Sequence, residues 1–406
     1  MIKSLKKFTA VSLIVACTYP SLQAEVNLTA PTIPDTLVNE ANSSVLRGVD
    51  YLLSTQNDDG SWTMQHEPAI TSLAAVALIN SRAEGRAKKI HKSVEQARTF
   101  VLTRVQENGS IAGSQSKYVN YSTAICLSAL AIINNPTDTE VMRKARHFLI
   151  GLQEKGKDNP DFKGGIGYGA AGPGYPDLSN TSWALEALYL TDYLDTEASG
   201  ASEGDIKRSD LAWSNAIKFL AAVQNVPESE DGQWIVNTAK DKKNDGGFIY
   251  KPGESKVNSK FELESDKGLR SYGSMTYAGL KSMIYAKLKN DDYRVKAAAE
   301  WARNHYTLTE NPEMGPEGHY YYLQCFAKSH AALNIDIITT PDGKKHFWKT
   351  DLIKQLLGSQ KGNGSWVNDG KDKNGQPGRW MESLPELVTP YALFSMEIAL
   401  GDKLGK

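Results

Sequence analysis

Apolar residues recur along this chain in two alternating styles. Over 44–55, 90–105, 139–152, 210–223, 293–304 and 347–357 they fall three and four apart and leave one polar face, as in Ile90-His91-Lys92-Ser93-Val94-Glu95-Gln96-Ala97-Arg98. That spacing predicts amphipathic helices. Over 69–80, 122–133, 179–193, 274–287, 320–333 and 387–400 the chain is small and apolar on nearly every side, as in Thr71-Ser72-Leu73-Ala74-Ala75-Val76-Ala77-Leu78. A helix apolar all round must be buried all round. The two kinds alternate, so the chain reads as six helix hairpins.

Most of the amphipathic helices end near a Gln (Gln56, Gln106, Gln153, Gln224, Gln360), and a Gly-rich loop follows. One hairpin cannot cover its own apolar face, but stacked neighbours cover each other's, and closing the row into a ring removes the exposed ends. The expected fold is therefore all-α, an (α/α)6 toroid of six helix-hairpin repeats, with the apolar helices as an inner ring. It should occupy 43–406 as a single domain, after a lead-in over 25–42 that holds Pro31 and Pro34 and shows no periodicity. Short hairpin links make every inner helix antiparallel to its outer partner. All six inner N-termini then gather at one mouth, where their dipoles concentrate positive potential.

The pattern Gln-x-x-x-Gly-x-Trp occurs intact at Gln56, Gly60 and Trp62 and at Gln360, Gly364 and Trp366, with a degenerate copy at Gln106 and Gly109. It resembles the repeat of the squalene cyclase and prenyltransferase family. The resemblance implies the toroid fold, a hydrophobic isoprenoid-like ligand in the central cavity, and a motif whose Gln and Trp tie an outer helix end to the next inner helix. Cyclases of that family protonate an alkene from an Asp-x-Asp-Asp-Thr pattern that opens an inner helix. The matching stretch here is Asp177-Leu178-Ser179-Asn180-Thr181, with Ser179 where the family's proton donor stands. Asp177 is thus a candidate acid or, on the residues alone, a helix cap. The zinc-binding branch places an Asp and a Cys where this chain has Arg270 and Tyr272. No metal and no cofactor is expected.

At or just before inner helix starts lie Tyr175, Asp177, Glu262, Glu264, Asp266, Arg270, Tyr272, His319, Tyr320, Tyr321 and Glu382. If the ring closes, they converge. Clustered carboxylates partly screened from water raise one another's pKa, so Asp177, Glu262, Glu264 and Asp266 are the catalytic candidates. Tyr175, Asn180, Trp183, Arg270, Tyr272, Tyr277, His319, Tyr320, Tyr321 and Glu382 are the ligand-binding candidates, the rings among them offering aromatic faces. Two other classes stay open: an envelope binding or scaffold module, and a carbohydrate-active toroid that sets two carboxylates about 5 to 9 Å apart.

Charge narrows the partners. Lys and Arg number 46 against 47 Asp and Glu, so no overall field gathers nucleic acid. The start Met1-Ile2-Lys3-Ser4-Leu5-Lys6-Lys7 followed by an apolar run over 8–16 predicts a secretory signal over 1–24, processed after Ala24. The stretch Ile14-Val15-Ala16-Cys17 offers a second route, lipidation at Cys17 and attachment to a membrane. Either route makes the protein exported, periplasmic or secreted. Cys126 and Cys325 sit in apolar helical patterns and predict no disulfide framework.

Overall fold

The computed structural model describes residues 31–63, 68–114, 116–157, 159–169, 175–196, 199–226, 245–257, 268–371, 375 and 378–405. Twelve α-helices run through the described residues: α1 (Asp35–Thr55), α2 (Ala69–Asn80), α3 (Ala87–Leu102), α4 (Val119–Ile133), α5 (Thr139–Gly151) and α6 (Leu178–Leu190). They continue with α7 (Glu203–Ala222), α8 (Gly273–Tyr285), α9 (Tyr293–Asn304), α10 (His319–Leu333), α11 (Trp348–Ser359) and α12 (Pro385–Leu400). A short antiparallel hairpin, β1 (Ile337–Thr339) and β2 (Lys345–Phe347), stands between α10 and α11.

The even-numbered helices form the inner ring. Each packs on the next, and α12 returns to pack on α2, which closes the circle. Their sequence explains their place: α2 buries every residue from Ala69 to Leu78, and α6 every residue from Leu178 to Leu188. By contrast α3 buries only Ile90, Ser93, Val94, Ala97, Phe100 and Val101, a single stripe facing the inner helices.

One joint repeats around the ring. The Gln at the end of an outer helix donates from Nε2 to a backbone carbonyl of the next outer helix: Gln56 to Ser93, Gln153 to Ala212, Gln224 to Arg294 and Gln360 to Ser44, at 2.8–2.9 Å. The last of these joins the sixth repeat to the first. The Gln of the motif therefore ties outer helix to outer helix; the tie to the next inner helix that the resemblance implies is made by the backbone two residues after the loop glycine. The motif's Trp turns back on its own outer helix, with Trp62 donating to the Leu52 carbonyl and Trp366 to that of Leu356. The loop glycine must be Gly because a Cβ on Gly164, at φ +90°, would lie 1.8 Å from the Asn215 carbonyl of α7. Two residues later a backbone N–H donates to a threonine of the following inner helix: Ile111 to Thr123, Ile166 to Thr181, Phe248 to Thr276 and Trp366 to Thr389.

The first helix starts at Asp35, so the lead-in expected over 25–42 from its prolines and lack of periodicity ends sooner. Leu37, Val38 and Ala41 are buried. The chain's end fastens this segment, with Lys403 Nζ donating to the Ile33 carbonyl and Asn42 Nδ2 to the Lys403 carbonyl.

Candidate functional site

A cavity of about 360 Å³ opens at the N-terminal ends of the inner helices, and all six contribute to its wall. The threonine joint sets the register. The residue two before the threonine, or before its equivalent Leu323 in the fifth repeat, faces the cavity in every repeat: Ala69, Tyr121, Ser179, Ser274, Tyr321 and Leu387. The residue two after it does so in four repeats: Leu73, Ile125, Trp183 and Tyr391. Tyr118, Tyr168, Tyr250, Tyr272 and Trp380 complete an aromatic wall. Such a wall excludes water and offers π-faces.

Three hydroxyls cross this apolar space. Tyr121 donates to Ser179 Oγ at 2.6 Å, and Ser179 Oγ lies 3.1 Å from the Tyr321 hydroxyl, reached from the fifth repeat. Burial pushes both phenols well above their ordinary range, so they are neutral donors. Ser179, which stands where the family's acid would be, is thus the centre of a hydroxyl relay.

Two buried carboxyls flank the cavity. Asp177 caps α6, its Oδ1 accepting from Asn180 N at 2.9 Å and its Oδ2 from Asn180 Nδ2 at 2.7 Å. Burial raises it to about 6, against the pull of Asn180, Tyr250 and Lys256. It stands behind the lining rather than in it. Glu382 does line the cavity, and there it caps α10, accepting from Tyr321 N at 2.7 Å and from Asn368 Nδ2 at 2.7 Å. Burial raises it to about 7, opposed by these donors.

Glu382 hangs from a strained strap. Gly378, Trp380 and Met381 have φ of 61°, 57° and 68°. Left-handed backbone at two bulky residues costs on the order of 1–3 kcal/mol each and persists only where the surroundings impose it. Here Arg379 pairs with Glu317 and stacks 4.5 Å over the Trp380 ring, while Trp380 packs on Gly318, where a Cβ would meet it at 2.9 Å.

Below the cavity the lumen is filled. Glu186 lies between Lys281 Nζ at 2.5 Å and Lys328 Nζ at 2.6 Å, with both ammonium groups against the Trp183 ring. Burial would raise Glu186, but the two lysines outweigh it and hold the carboxyl at about 2. Burial also lowers Lys328.

Of the residues singled out in the sequence, Trp183, Tyr272, Tyr321 and Glu382 line the cavity. The others lie elsewhere. Tyr175 is 61 % exposed and meets Phe162 at a tilt, and Arg270 pairs with Glu313 at 3.1 Å. Asn180 bridges Asp177 and Asn120, and His319 Nε2 sits 2.8 Å from the Leu308 carbonyl. Tyr277 is packed against Tyr322 and Phe326, and Tyr320 is buried near Ser359. Glu262, Glu264 and Asp266 lie outside the described residues. Tyr168 and Tyr250 escaped the sequence reading as ligand candidates, though each stands four residues after its loop glycine, Gly164 or Gly246. In the sixth repeat that same place, four after Gly364, holds Asn368, the partner of Glu382.

The fold is shared with solved α/α toroids. The type II terpene cyclase MstE from Scytonema, as a variant in complex with its substrate geranylgeranyl dihydroxybenzoate, is similar at a TM-score of 0.51, with 14 % identity over 90 % of this chain and 99 % of that one. A D-mannose isomerase is similar at 0.54, with 9 % identity over 95 % and 100 % of the two chains. A GH76 α-mannanase from Bacteroides thetaiotaomicron is similar at 0.53, with 10 % identity over 88 % and 95 %. No family model and no curated protein sequence matches this chain.

Proposed function

We propose that this protein binds an isoprenoid-like hydrophobic molecule in the cavity at the inner-helix N-termini. One observation carries the reading: the cavity is walled mainly by aromatic and aliphatic side chains from all six repeats, with Lys256 and Glu382 its charged members, and has the size of a small-molecule site. Its volume falls near the lower end of the usual ~300–1,000 Å³, which suits shorter isoprenoids better than thirty-carbon ones. The substrate-bound terpene cyclase of the same fold supports the ligand class.

Sugar-processing toroids share the fold, but sugar binding calls for a polar cleft with facing acid and base. Glu382 is the one carboxylate in the lining among the described residues. Aromatic walls favour the hydrophobic ligand. If the protein also turns its ligand over, the reading assigns proton transfer to Asp177 or Glu382, the buried carboxyls whose pKa burial brings towards neutrality. The positively charged start and apolar run at the N-terminus support export, by either processing route.

The test is direct. Purified protein is incubated with labelled geranyl, farnesyl and geranylgeranyl compounds and with squalene, and bound and converted material are separated. Binding of the shorter compounds supports the reading. Failure to bind any of them refutes it. Loss of any turnover in Asp177→Asn but not in Glu382→Gln assigns the proton transfer to Asp177, and the converse assigns it to Glu382.

A further inference from the structure

The hydroxyls of Tyr121, Ser179 and Tyr321 come from three inner helices and meet inside a cavity whose other walls are mostly apolar. Packing alone does not explain them. A wall built only to hold hydrocarbon is best made of carbon, because even hydroxyls bonded to one another leave donor and acceptor capacity that hydrocarbon cannot meet.

The relay has a direction to offer. Three hydroxyls own three protons, and the two bonds that join them use two. Tyr121 donates to Ser179, and whichever of Ser179 and Tyr321 donates to the other, one of their two protons remains to be given while the Tyr121 oxygen keeps acceptor capacity. Among its neighbours the Tyr321 hydroxyl has the thiol of Cys325, a weak acceptor. The strip therefore offers both a donor and an acceptor. An alcohol oxygen, which both donates and accepts, can pair with either, while an alkene pairs with neither.

We infer that the cavity selects an isoprenoid alcohol over the corresponding hydrocarbon, and that Tyr121, Ser179 and Tyr321 are the residues that make the selection. This rests on reading the cavity as an isoprenoid site. A site built to bond a ligand hydroxyl rejects the analogue lacking it far more strongly than an apolar pocket rejects an added hydroxyl, because its own polar groups are then left unpaired.

Equilibrium dialysis of the purified protein against farnesol and against farnesene, matched in chain, tests the inference. The wild type should hold farnesol at least about tenfold more tightly, a modest demand beside the ~10⁴-fold discrimination known for such sites. Tyr121→Phe and Ser179→Ala should each lose most of that preference, through weaker farnesol binding together with farnesene affinity equal to or above the wild type's, because the deleted hydroxyl no longer stands unpaired against hydrocarbon. Farnesene affinity that is kept or raised also shows that the variants are folded. Equal affinity for the two ligands in the wild type overturns the selection but leaves the isoprenoid site standing. A preference that survives in both variants overturns the assignment to these residues. Binding of neither ligand overturns the isoprenoid site and the selection with it.

Discussion

Replacing Gln360 by Ala should weaken the protein far more than replacing Gln106, although both end outer helices in the same motif. Gln360 Nε2 donates to the carbonyls of Ser44 and Gly364, both at 2.9 Å, and its Oε1 accepts from Ser44 Oγ at 2.8 Å. The Ser44 bonds join the last repeat to the first. In Gln360→Ala two partly buried carbonyls lose their donor, at about 1–3 kcal/mol each, so a total of about 2–4 kcal/mol is expected once some water entry is allowed. Unfolding entropy near 2.1 cal/mol/K per residue over about 370 residues gives roughly 0.8 kcal/mol/K, so the melting temperature should fall by about 3–5 °C. Gln106 Nε2 reaches only the carbonyls of Arg104 and Ala112 in its own hairpin, at 3.1 and 3.2 Å. Its loss should cost about 1 kcal/mol, near 1 °C by the same conversion. Scanning calorimetry on both variants, with hydrogen exchange read on α1, makes the comparison. Equal shifts, or undiminished protection of α1 in Gln360→Ala, would refute the view that this glutamine closes the ring.

Other changes test other parts of the account. Glu186→Leu leaves the Lys281 and Lys328 ammonium groups buried without their carboxylate and should cost about 3–5 kcal/mol in denaturant titrations, whereas Glu186→Leu with Lys281→Met and Lys328→Met should be near neutral. Among the described residues neither carboxylate oxygen of the buried Glu397 finds a hydrogen-bond partner, and burial raises it well above 4.5. Its folded value exceeds its unfolded one, so the stability it contributes is complete below about pH 4.5 and is lost as pH rises towards the folded value. Glu397→Gln should therefore gain on the wild type between pH 4.5 and 8 in parallel unfolding curves, and a constant difference across that window would contradict this. Gly164→Ala should cost about 3 kcal/mol or more, since its Cβ meets the Asn215 carbonyl, while Gly85→Ala, with open space around it, should be close to neutral by thermal melt.

Much of this architecture is legible in the residues, because burial leaves a strong compositional trace. A run such as Thr123-Ala124-Ile125-Cys126-Leu127-Ser128-Ala129-Leu130 has no polar face to give to water, and α4 indeed lies in the inner ring. The mouth follows from chain direction alone. The site was harder to read for three physical reasons. Position near an inner N-terminus does not say which way a side chain turns: His319 faces the Leu308 carbonyl, while its neighbour but one, Tyr321, enters the cavity. Acidic residues suit helix starts whether or not they do chemistry, and Asp177 is used as a cap. Loop residues such as Tyr168 and Tyr250 belong to no helical period, so only their distance from a constrained glycine betrays them. The start of α1 in fact keeps the helical spacing, with Leu37, Val38, Ala41 and Val45 on its buried face and Asn39, Glu40, Asn42 and Ser43 on its polar one; Pro31 and Pro34 just upstream are what make this stretch read as a lead-in.

Mass spectrometry of lipid retained by the purified protein tests most directly whether the cavity holds a hydrophobic isoprenoid. Wild-type protein should carry or take up an isoprenoid in near one-to-one proportion. Ile125→Trp, which fills the cavity from its wall, should stay folded with a melting temperature lowered by about 4 °C at most and hold none. Equal retention by the two proteins would place the lipid elsewhere, and an absence of isoprenoid from wild-type protein exposed to it would contradict the account.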